Sequence, residues 1–306
     1  MTAMHLMNSR VIALVRGVPK SFAKAVMDEK SAAALGGKAI DWALASKQHA
    51  GYVDALSKIV DSVEALPALE AHPDCPFVED TVVYARGIAV TLRQGHDSRI
   101  GEVDAVREAL ATNPALRCVK TVHMEDPDAR CDGGDVLFTG RHMFVGISER
   151  TNKAGAAALA KAFGPSLPVI PVPVVRKREA WVGWLLAGAL HLKSLVSLLR
   201  PGVLLFARND AGQEAVASMA SDVGETAYKA IGVPDQPSAN VVSVIHKGQW
   251  RGALIQGGRC EESRWLIRKC FTEKEQAKVL EIDYSEMIKP DAALTCCSVL
   301  LGGQPA

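Results

Sequence analysis

The chain has 306 residues, of which 48% are apolar, and 35 Lys and Arg residues against 34 Asp and Glu residues give a formal net charge of +1. A chain of this length can bury a large core, in one domain or two. The balanced charge argues against a nucleic-acid-binding surface, which needs a basic excess, and the 5% aromatic content argues against base-stacking platforms.

The predicted elements alternate between strands and helices. In chain order, the apolar pattern predicts a strand at Val11–Val15, a helix at Ser31–Ile59, strands at Val82–Tyr84 and Ile88–Leu92, a helix at Glu102–Ala111, strands at Arg117–His123, Val136–Phe138 and Met143–Ile147, a helix at Asn152–Phe163, strands at Val169–Val175 and Val203–Phe206, a helix at Gly212–Gly224, strands at Val241–Ile245 and Ala253–Ile255, a short helix at Glu273–Val279 and a strand at Leu294–Leu300. This alternation indicates an α/β fold. Strands outnumber helices by about two to one, more than a wound sheet with one strand per helix would give. No Pro- and Ser-rich linker divides the chain, and the dinucleotide and P-loop glycine motifs are absent.

The cysteines indicate a reducing compartment. They are odd in number, scattered and without a CxxC pair, which argues against a disulfide framework or a zinc ribbon: Cys75, Cys118, Cys131, Cys260, Cys270, Cys296 and Cys297. The apolar run at Val11–Val15 is too short for a signal peptide, and the longest apolar stretch, Trp181–Leu190, is about half a membrane span. The sequence therefore predicts a cytoplasmic protein.

Two acidic segments each precede an apolar strand. Residues 73–81 carry Asp74, Glu79 and Asp80 and contain two prolines, and residues 132–135 read Asp-Gly-Gly-Asp. Taken alone, either segment is equally well explained as a solvated turn.

His191 and the adjacent Cys296 and Cys297 are the other groups of chemical interest. A histidine among leucines is more often structural than catalytic, and a buried cysteine usually behaves as a small hydrophobic residue. Adjacent side chains on a strand point to opposite faces, so at most one of the two thiols readily faces a given pocket. Together with the clustered carboxylates and separated arginines, however, these groups suit a cysteine nucleophile acting on a cationic substrate.

Six ordered motifs resemble those of the dimethylarginine dimethylaminohydrolase family, within the pentein superfamily. The matching segments are RGVPKSF, PDCPFVEDT, DGGDVLFTGR, FVGISERTN, LHLKS and ALTCCSVLL, spread from about residue 10 to residue 301. The resemblance implies one catalytic domain over residues 1–306, folded as a five-bladed α/β propeller of ββαβ modules around a central channel. Such a fold would explain both the excess of strands and the missing linker.

The resemblance also implies roles for individual residues. Cys296 matches the nucleophile, His191 the general acid and base, and Asp132 the carboxylate that orients this histidine. Contacts to substrate are implied for Asp74 and Asp80 at the guanidinium, with Glu79 between them in the motif, for Arg99 and Arg150 at the α-carboxylate, and for the backbone at Met27 and Pro290.

The function implied by the resemblance is hydrolysis of N-ω-methylated arginines to citrulline and dimethylamine or methylamine, through a covalent thiouronium on the cysteine, with an indirect effect on nitric oxide synthesis. No cofactor is required, although zinc could inhibit by binding Cys296. The expected partner is a small-molecule substrate, with neither nucleic acid nor membrane, and the chain is a monomer or a homodimer. The alternatives are another pentein, such as an arginine or agmatine deiminase, or a non-catalytic pentein that acts as a binding protein.

One segment departs from the family pattern. Residues 176–188, which begin with Arg and Lys and continue into a Trp- and Leu-rich run, are additional residues immediately before His191. A lid, a partner-binding surface and mistranslated sequence are all compatible with this composition.

Overall fold

The computed structural model describes residues 10–25, 39–116, 120–174 and 189–302. The strands are β1 (Val11–Arg16), β2 (Ser62–Leu66), β3 (Val82–Ala85), β4 (Ile88–Thr91), β5 (Lys120–His123), β6 (Val136–Phe138), β7 (Met143–Ile147), β8 (Val169–Pro173), β9 (Val196–Arg200), β10 (Val203–Ala207), β11 (Lys229–Val233), β12 (Val242–His246), β13 (Gln249–Gln256), β14 (Val279–Ile282) and β15 (Val299–Gly302). The helices are α1 (Trp42–Ser57), α2 (Glu102–Thr112), α3 (Lys153–Phe163), α4 (Asp210–Val223), α5 (Glu261–Arg268) and α6 (Glu273–Gln276). Met27 and the insertion at 176–188 lie outside the described residues.

The strands form five three-stranded sheets with the same connectivity. In the second sheet, β3 and β4 pair antiparallel, α2 follows, and β5 returns parallel to β4. The same ββαβ order recurs in β6–β8, β9–β11 and β12–β14. Both ends of the chain build the remaining sheet, in which β15 pairs antiparallel with β1 and β2 pairs parallel with β1. Three strands for each crossover explain the excess of strands in the sequence.

Several predicted elements differ from the observed ones. Of the helix predicted over Ser31–Ile59, residues 31–38 lie outside the described residues. Residues 39–41 are not helical, and α1 begins at Trp42, because the Asp41 side chain accepts a hydrogen bond from Leu44 N–H and caps the helix there. The strand predicted at Leu294–Leu300 is a 3₁₀ turn followed by β15. Four strands were not predicted: β2, β9, β11 and β14. Of these, β2 and β11 are half-exposed edge strands that lack an apolar pattern.

A short 3₁₀ turn precedes the first strand of every sheet. The turns span Val78–Thr81, Gly133–Asp135, Leu192–Ser194, Gln236–Ala239 and Leu294–Cys297. Each contacts the next, and hydrogen bonds between Asn240 and Thr295 join the last two, so the five turns form a closed ring. The first strands of all five sheets line one cavity of about 180 Å³, which we call the central cavity.

Apolar side chains pack between neighbouring modules as well as within them. One cluster joins β1, α1 and the turn that carries Cys296, and another joins β4, β6, β7 and α3. The turns are thus held on a rigid base, because close-packed interiors resist small displacements. In the part of the chain that the structure describes, no helix combines the length and the apolar character needed to cross a bilayer.

Candidate active site

Next to the ring of turns lies a second, smaller cavity of about 30 Å³, which we call the pocket. Eight of the ten residues predicted for the site line it: Asp74, Asp80, Arg99, Asp132, Arg150, His191, Pro290 and Cys296. These residues come from distant parts of the sequence, and the ring of turns brings them to one place. Phe77, Leu190, Asp291 and Ala292 complete the wall.

His191 and Asp132 form a buried hydrogen-bonded pair. The His191 Nε2 atom lies 3.0 Å from Asp132 Oδ2, and the other oxygen of Asp132 accepts a hydrogen bond of 2.8 Å from Gly95 N–H. Burial alone would lower the pKa of His191, but the charge of Asp80, the hydrogen bond to Asp132 and the charge of Asp135 raise it to about 9. The imidazole is therefore protonated at neutral pH in the ligand-free site.

The Asp-Gly-Gly-Asp segment is packed tightly inside the ring. A Cβ atom at Gly133 would collide with the carbonyl oxygen of Glu79, and one at Gly134 would lie 2.6 Å from His191 Nδ1. The second acid, Asp135, accepts hydrogen bonds from Leu192 N–H at 2.9 Å and from the Ser148 hydroxyl. Burial raises the pKa of Asp135 to about 6. The segment is thus a turn, as its composition suggested, but one that is buried and that fixes the histidine.

Asp80 is held as an anion by Arg99. Its Oδ2 atom lies 2.6 Å from Arg99 Nη1, and its Oδ1 atom accepts a hydrogen bond of 2.8 Å from Gly134 N–H. Burial would raise the pKa of Asp80, but the charges of His191 and Arg99 and these hydrogen bonds lower it to about 2. Asp80 therefore presents a negative charge to the pocket at every physiological pH.

The two arginines of the pocket differ in how far the protein already engages them. Arg99 is buried and donates to both oxygens of Glu102, to Asp80 and to the Phe77 carbonyl. Described residues thus use four of its five N–H bonds, and among them none accepts from the second Nη1 hydrogen, which can serve a ligand. Arg150 is half-buried, and its guanidinium makes no ion pair with any described residue.

Cys296 lies in the turn Leu294–Cys297, and only 9% of the residue is exposed. Its sulfur accepts a hydrogen bond from Ala293 N–H at 3.4 Å. Burial and the charges of Glu79 and Asp80 raise the pKa of the thiol well above its ordinary value. The ligand-free site therefore holds a neutral thiol.

Cys297 occupies a different environment from its neighbour. Its sulfur accepts a hydrogen bond of 2.6 Å from the Tyr284 hydroxyl, inside the apolar cluster under α1. Burial raises the pKa of this thiol to about 12. The two adjacent thiols do face different surroundings. They lie in a 3₁₀ turn, however, and not on the predicted strand.

Glu79 is the described site residue that the structure keeps out of the pocket. Its carboxylate lines the central cavity, where it accepts hydrogen bonds from Lys193 Nζ and, at 2.9 Å, from the Thr295 hydroxyl. Burial raises the pKa of Glu79, and the charge of Lys193 opposes that rise. Met27, the remaining predicted contact, lies outside the described residues.

Five residues that hydrogen-bond to the site residues or to the turns that carry them were given no role from the sequence: Glu102, Asp135, Lys193, Asn240 and Thr295. A signal was present for some of them, since Lys193 and Thr295 lie inside quoted motifs and Asp135 is the second acid of Asp-Gly-Gly-Asp. For Asn240 the only signal is its place just before a first strand, where the other modules carry their site residues.

Asp80, Asp132 and His191 offer ligand atoms within 4.8 Å of one another, which is close enough for a metal ion. Arg99 and the protonated His191 already neutralise these carboxylates, and an added cation would meet both positive charges. The cluster is therefore better described as a network of ion pairs than as a metal site.

Comparison with known proteins identifies the family. No family model matches the chain. The dimethylarginine dimethylaminohydrolase of Streptomyces coelicolor is 32% identical over 266 residues, which are 86% of this chain and 88% of the relative. The chain belongs to the dimethylarginine dimethylaminohydrolase family. The family's Pseudomonas aeruginosa enzyme is 27% identical over 264 residues, 85% of this chain and 89% of that one, and the human protein named DDAH2 is 30% identical over 305 residues, 96% and 95%.

Solved structures show the same fold. A dimethylarginine dimethylaminohydrolase adduct with 4-chloro-2-hydroxymethylpyridine superposes with a TM-score of 0.70 at 25% identity, covering 95% of this chain and 99% of the other. The N-terminal domain of the arginine dihydrolase ArgZ with bound substrate gives 0.73 at 15% identity, covering 97% and 100%. The chain thus has a pentein-like α/β fold, and the predicted membership of this hydrolase family is confirmed.

Proposed function

We propose that the chain hydrolyses N-ω-methylated arginines to citrulline and dimethylamine or methylamine, with Cys296 as the nucleophile. One observation carries the proposal: a single pocket is lined by a thiol, a His–Asp pair, two carboxylates and an arginine that no described residue engages. These are the groups needed to bind a free amino acid with a guanidinium tail and to break a C–N bond in it.

The charges of the pocket support a zwitterionic substrate. Asp74 and Asp80 accept N–H bonds from the guanidinium, since a carboxylate and a guanidinium match in fork geometry. Arg150 pairs with the α-carboxylate, assisted by the remaining N–H of Arg99. The wall at Pro290 offers a backbone carbonyl to the amino group. The predicted contact through Glu79 is replaced by an indirect role, because its oxygens are held by Lys193 and Thr295.

The first half of the reaction forms a covalent intermediate. In the ligand-free site the thiol is neutral and His191 is protonated, so the incoming guanidinium charge is needed to favour the thiolate, and the thiol proton leaves to solvent. The sulfur attacks the central guanidinium carbon and gives a neutral tetrahedral adduct. His191 donates its proton to the methylated nitrogen, the C–N bond breaks, and a cationic thiouronium remains on Cys296.

The second half releases citrulline. His191, now neutral, takes a proton from water, and the resulting hydroxide attacks the thiouronium carbon. The tetrahedral adduct collapses, the C–S bond breaks, and the hydroxyl proton passes to the departing Cys296 sulfur as the carbonyl of citrulline forms, which restores the neutral thiol and the protonated His191. Asp132 holds the imidazole in place through both steps, as in other triads of nucleophile, base and orienting acid.

We extend the proposal to the architecture and cellular context. The closed ring of turns and the shared central cavity support five modules arranged as a propeller in one domain over residues 1–306. Cys296 supplies the nucleophile, and His191 supplies the proton for the leaving amine and accepts one from water, which supports a reaction without cofactor. Zn²⁺ would inhibit by binding Cys296. A cytoplasmic location, a monomer or homodimer and an indirect effect on nitric oxide synthesis stay predictions.

The test compares four substrates at equal concentration: asymmetric dimethylarginine, monomethylarginine, arginine and agmatine. We expect citrulline from the two methylated arginines, slow turnover of arginine, and poor binding of agmatine, which lacks the carboxylate that Arg150 would hold. Fast formation of citrulline from arginine with slow dimethylarginine turnover would favour the alternative of an arginine deiminase. Binding of dimethylarginine without any citrulline would make it a binding protein.

A further inference from the structure

We propose that Asn240 is a positioning residue, which acts through Thr295 and the Lys193 carbonyl to hold the Cys296 turn against the His191 turn. The inference rests on the proposed function, because it names a determinant of the same site. Asn240 follows the turn Gln236–Ala239. The other four turns contain or directly follow a residue that lines the pocket, whereas this turn does not.

The Asn240 side chain joins the two turns directly. Its Nδ2 atom donates to the Lys193 carbonyl at 2.9 Å and to the Thr295 hydroxyl at 3.0 Å, and its Oδ1 atom accepts from Thr295 N–H at 3.0 Å. Lys193 is two residues from His191, and Thr295 precedes Cys296. Both amide hydrogens are used, so rotation of this amide would break three bonds at once.

Glu79 supplies a second link between the same two turns. One carboxylate oxygen accepts from Lys193 Nζ and the other accepts from the Thr295 hydroxyl at 2.9 Å. The Thr295 hydroxyl therefore accepts from Asn240 and donates to Glu79, and it is the centre of a closed network. Asp80 follows Glu79 in the chain, so the network also ties the guanidinium-binding acid to the nucleophile and the base.

The burial of the network explains why it would matter. Asn240 is 1% exposed, and a buried polar side chain keeps its place only when its hydrogen bonds are satisfied. In a buried site, a network in which every polar group has a hydrogen-bond partner is rigid. A network with one unpaired polar group is destabilised, because that group has lost water without gaining a partner. The reacting sulfur and imidazole come from separate modules, so their relative position depends on what joins the turns.

The test uses Thr295→Val, which keeps the shape of the side chain but removes the hydroxyl, with Thr295→Ser as the variant that restores it. We expect kcat for dimethylarginine to fall about 10–100-fold in the valine variant, with KM nearly unchanged, since a displacement near 1 Å can cost as much as 10²-fold in rate. Thr295→Ser should recover most of that loss. A merely structural role would lower the folded fraction and kcat together, so kcat is expressed per folded molecule from circular dichroism.

Asn240→Asp gives an independent variant, and Asn113→Asp is its matched control. Asn113 also donates through Nδ2, to Glu64 at 2.9 Å, but lies outside both the pocket and the ring of turns. We expect kcat to fall in Asn240→Asp and to stay unchanged in Asn113→Asp. Unchanged kcat in Thr295→Val and Asn240→Asp, a serine variant as slow as the valine variant, or a rise in KM alone would overturn the proposal.

A second measurement separates this inference from the proposed function. Iodoacetamide should react with Cys296 without any substrate, and the rate is followed on the Cys296 peptide by mass spectrometry because Cys260 is exposed. Loosening the turn should expose the Cys296 sulfur, so this rate should rise in Thr295→Val and return to normal in Thr295→Ser. If the unmodified chain fails to turn over any methylated arginine, the proposed function fails while this measurement still tests the network. Equal alkylation rates in all three proteins would contradict the positioning role.

Discussion

The pocket and the central cavity lie on two sides of the same ring of turns, and neighbouring residues divide between them. Asp80 and Cys296 line the pocket, whereas Glu79 and Thr295, one position earlier in each case, line the central cavity. In the third pair His191 lines the pocket, and Lys193, two positions later, lines the central cavity. Four of the five turns thus place one residue at the pocket and another at the central cavity, whereas the turn Gln236–Ala239 places none at the pocket.

The two regions also differ in how their charges are balanced. In the central cavity Glu79 pairs with Lys193, so both charges are satisfied inside the protein. In the pocket Arg150 has no described ion-pair partner, and His191 carries a proton beside a neutral thiol. Charge that the protein leaves unpaired is available to a substrate, so this difference separates a reactive cavity from a structural one.

The largest effect should come from the two adjacent cysteines. Cys296→Ser removes the pocket thiol, and we expect citrulline formation to fall by about 10⁴-fold or more, as when a covalent nucleophile is lost. Cys297→Ser changes a core thiol bonded to Tyr284 and should keep much of the activity. Steady-state citrulline assays on both variants make the comparison, and the reverse ranking would show that the nucleophile is misassigned.

The next effect should come from Asp132→Asn, which keeps the shape of the side chain but removes the charge next to His191. We expect kcat to fall on the order of 10³-fold, because the imidazole loses the partner that fixes its orientation and stabilises its protonated form. The pKa of His191 should fall as well, and a titration of its ring protons by NMR measures that directly. A variant with unchanged kcat would remove Asp132 from the proposed mechanism.

A smaller effect is expected for Arg150→Gln. Losing a hydrogen-bonded charge pair to the α-carboxylate should raise KM for dimethylarginine about 10–100-fold, with a smaller change in kcat. Arg86→Gln is a suitable control, because Arg86 is bonded to the carbonyls of Ser166 and Gly140 away from the pocket. If the Arg150 variant keeps its KM, the basic end of the pocket does not hold the substrate.

The smallest effect concerns pH. Burial holds the pKa of the Cys296 thiol well above its ordinary value, so its alkylation by iodoacetamide in the absence of substrate should be slow at pH 7 and should continue to rise with pH beyond the point at which an ordinary thiol levels off. The titration of His191, by contrast, affects the stability of the fold. Its folded pKa of about 9 exceeds the unfolded value, so its contribution to stability is complete below about pH 6.5 and is lost as pH rises through 9. Alkylation that levels off near pH 7 would contradict the neutral thiol.

The sequence predicted the pocket better than the structure behind it. Residues with chemical groups in recognisable motifs, such as Cys296, His191 and Asp80, could be named because their side chains carry the reaction. Glu79 shares a motif with Asp80, and nothing in the sequence separates them, since the outcome depends on a 3₁₀ turn that sends adjacent carboxylates to different cavities. Asn240 stands in no motif, and its role depends on contacts with residues 47 and 55 positions away.

The fold could be predicted in outline, because many of its elements have a local apolar pattern. Buried first and second strands such as β3 and β7 carry continuous apolar runs, which the sequence shows clearly. Third strands gave a mixed result: β5 and β8 were predicted, whereas β2 and β11, which are half-exposed edge strands without an apolar pattern, were not. The pairing of β15 with β1 joins opposite ends of the chain, and local patterns contain no information about that contact.

The most direct test of covalent catalysis is the mass of the protein during turnover. Protein quenched in acid while it consumes dimethylarginine should carry an adduct equal to the substrate less dimethylamine, located on the peptide that contains Cys296, while citrulline accumulates. No citrulline from the intact chain, or an adduct on Cys297 rather than Cys296, would contradict the account.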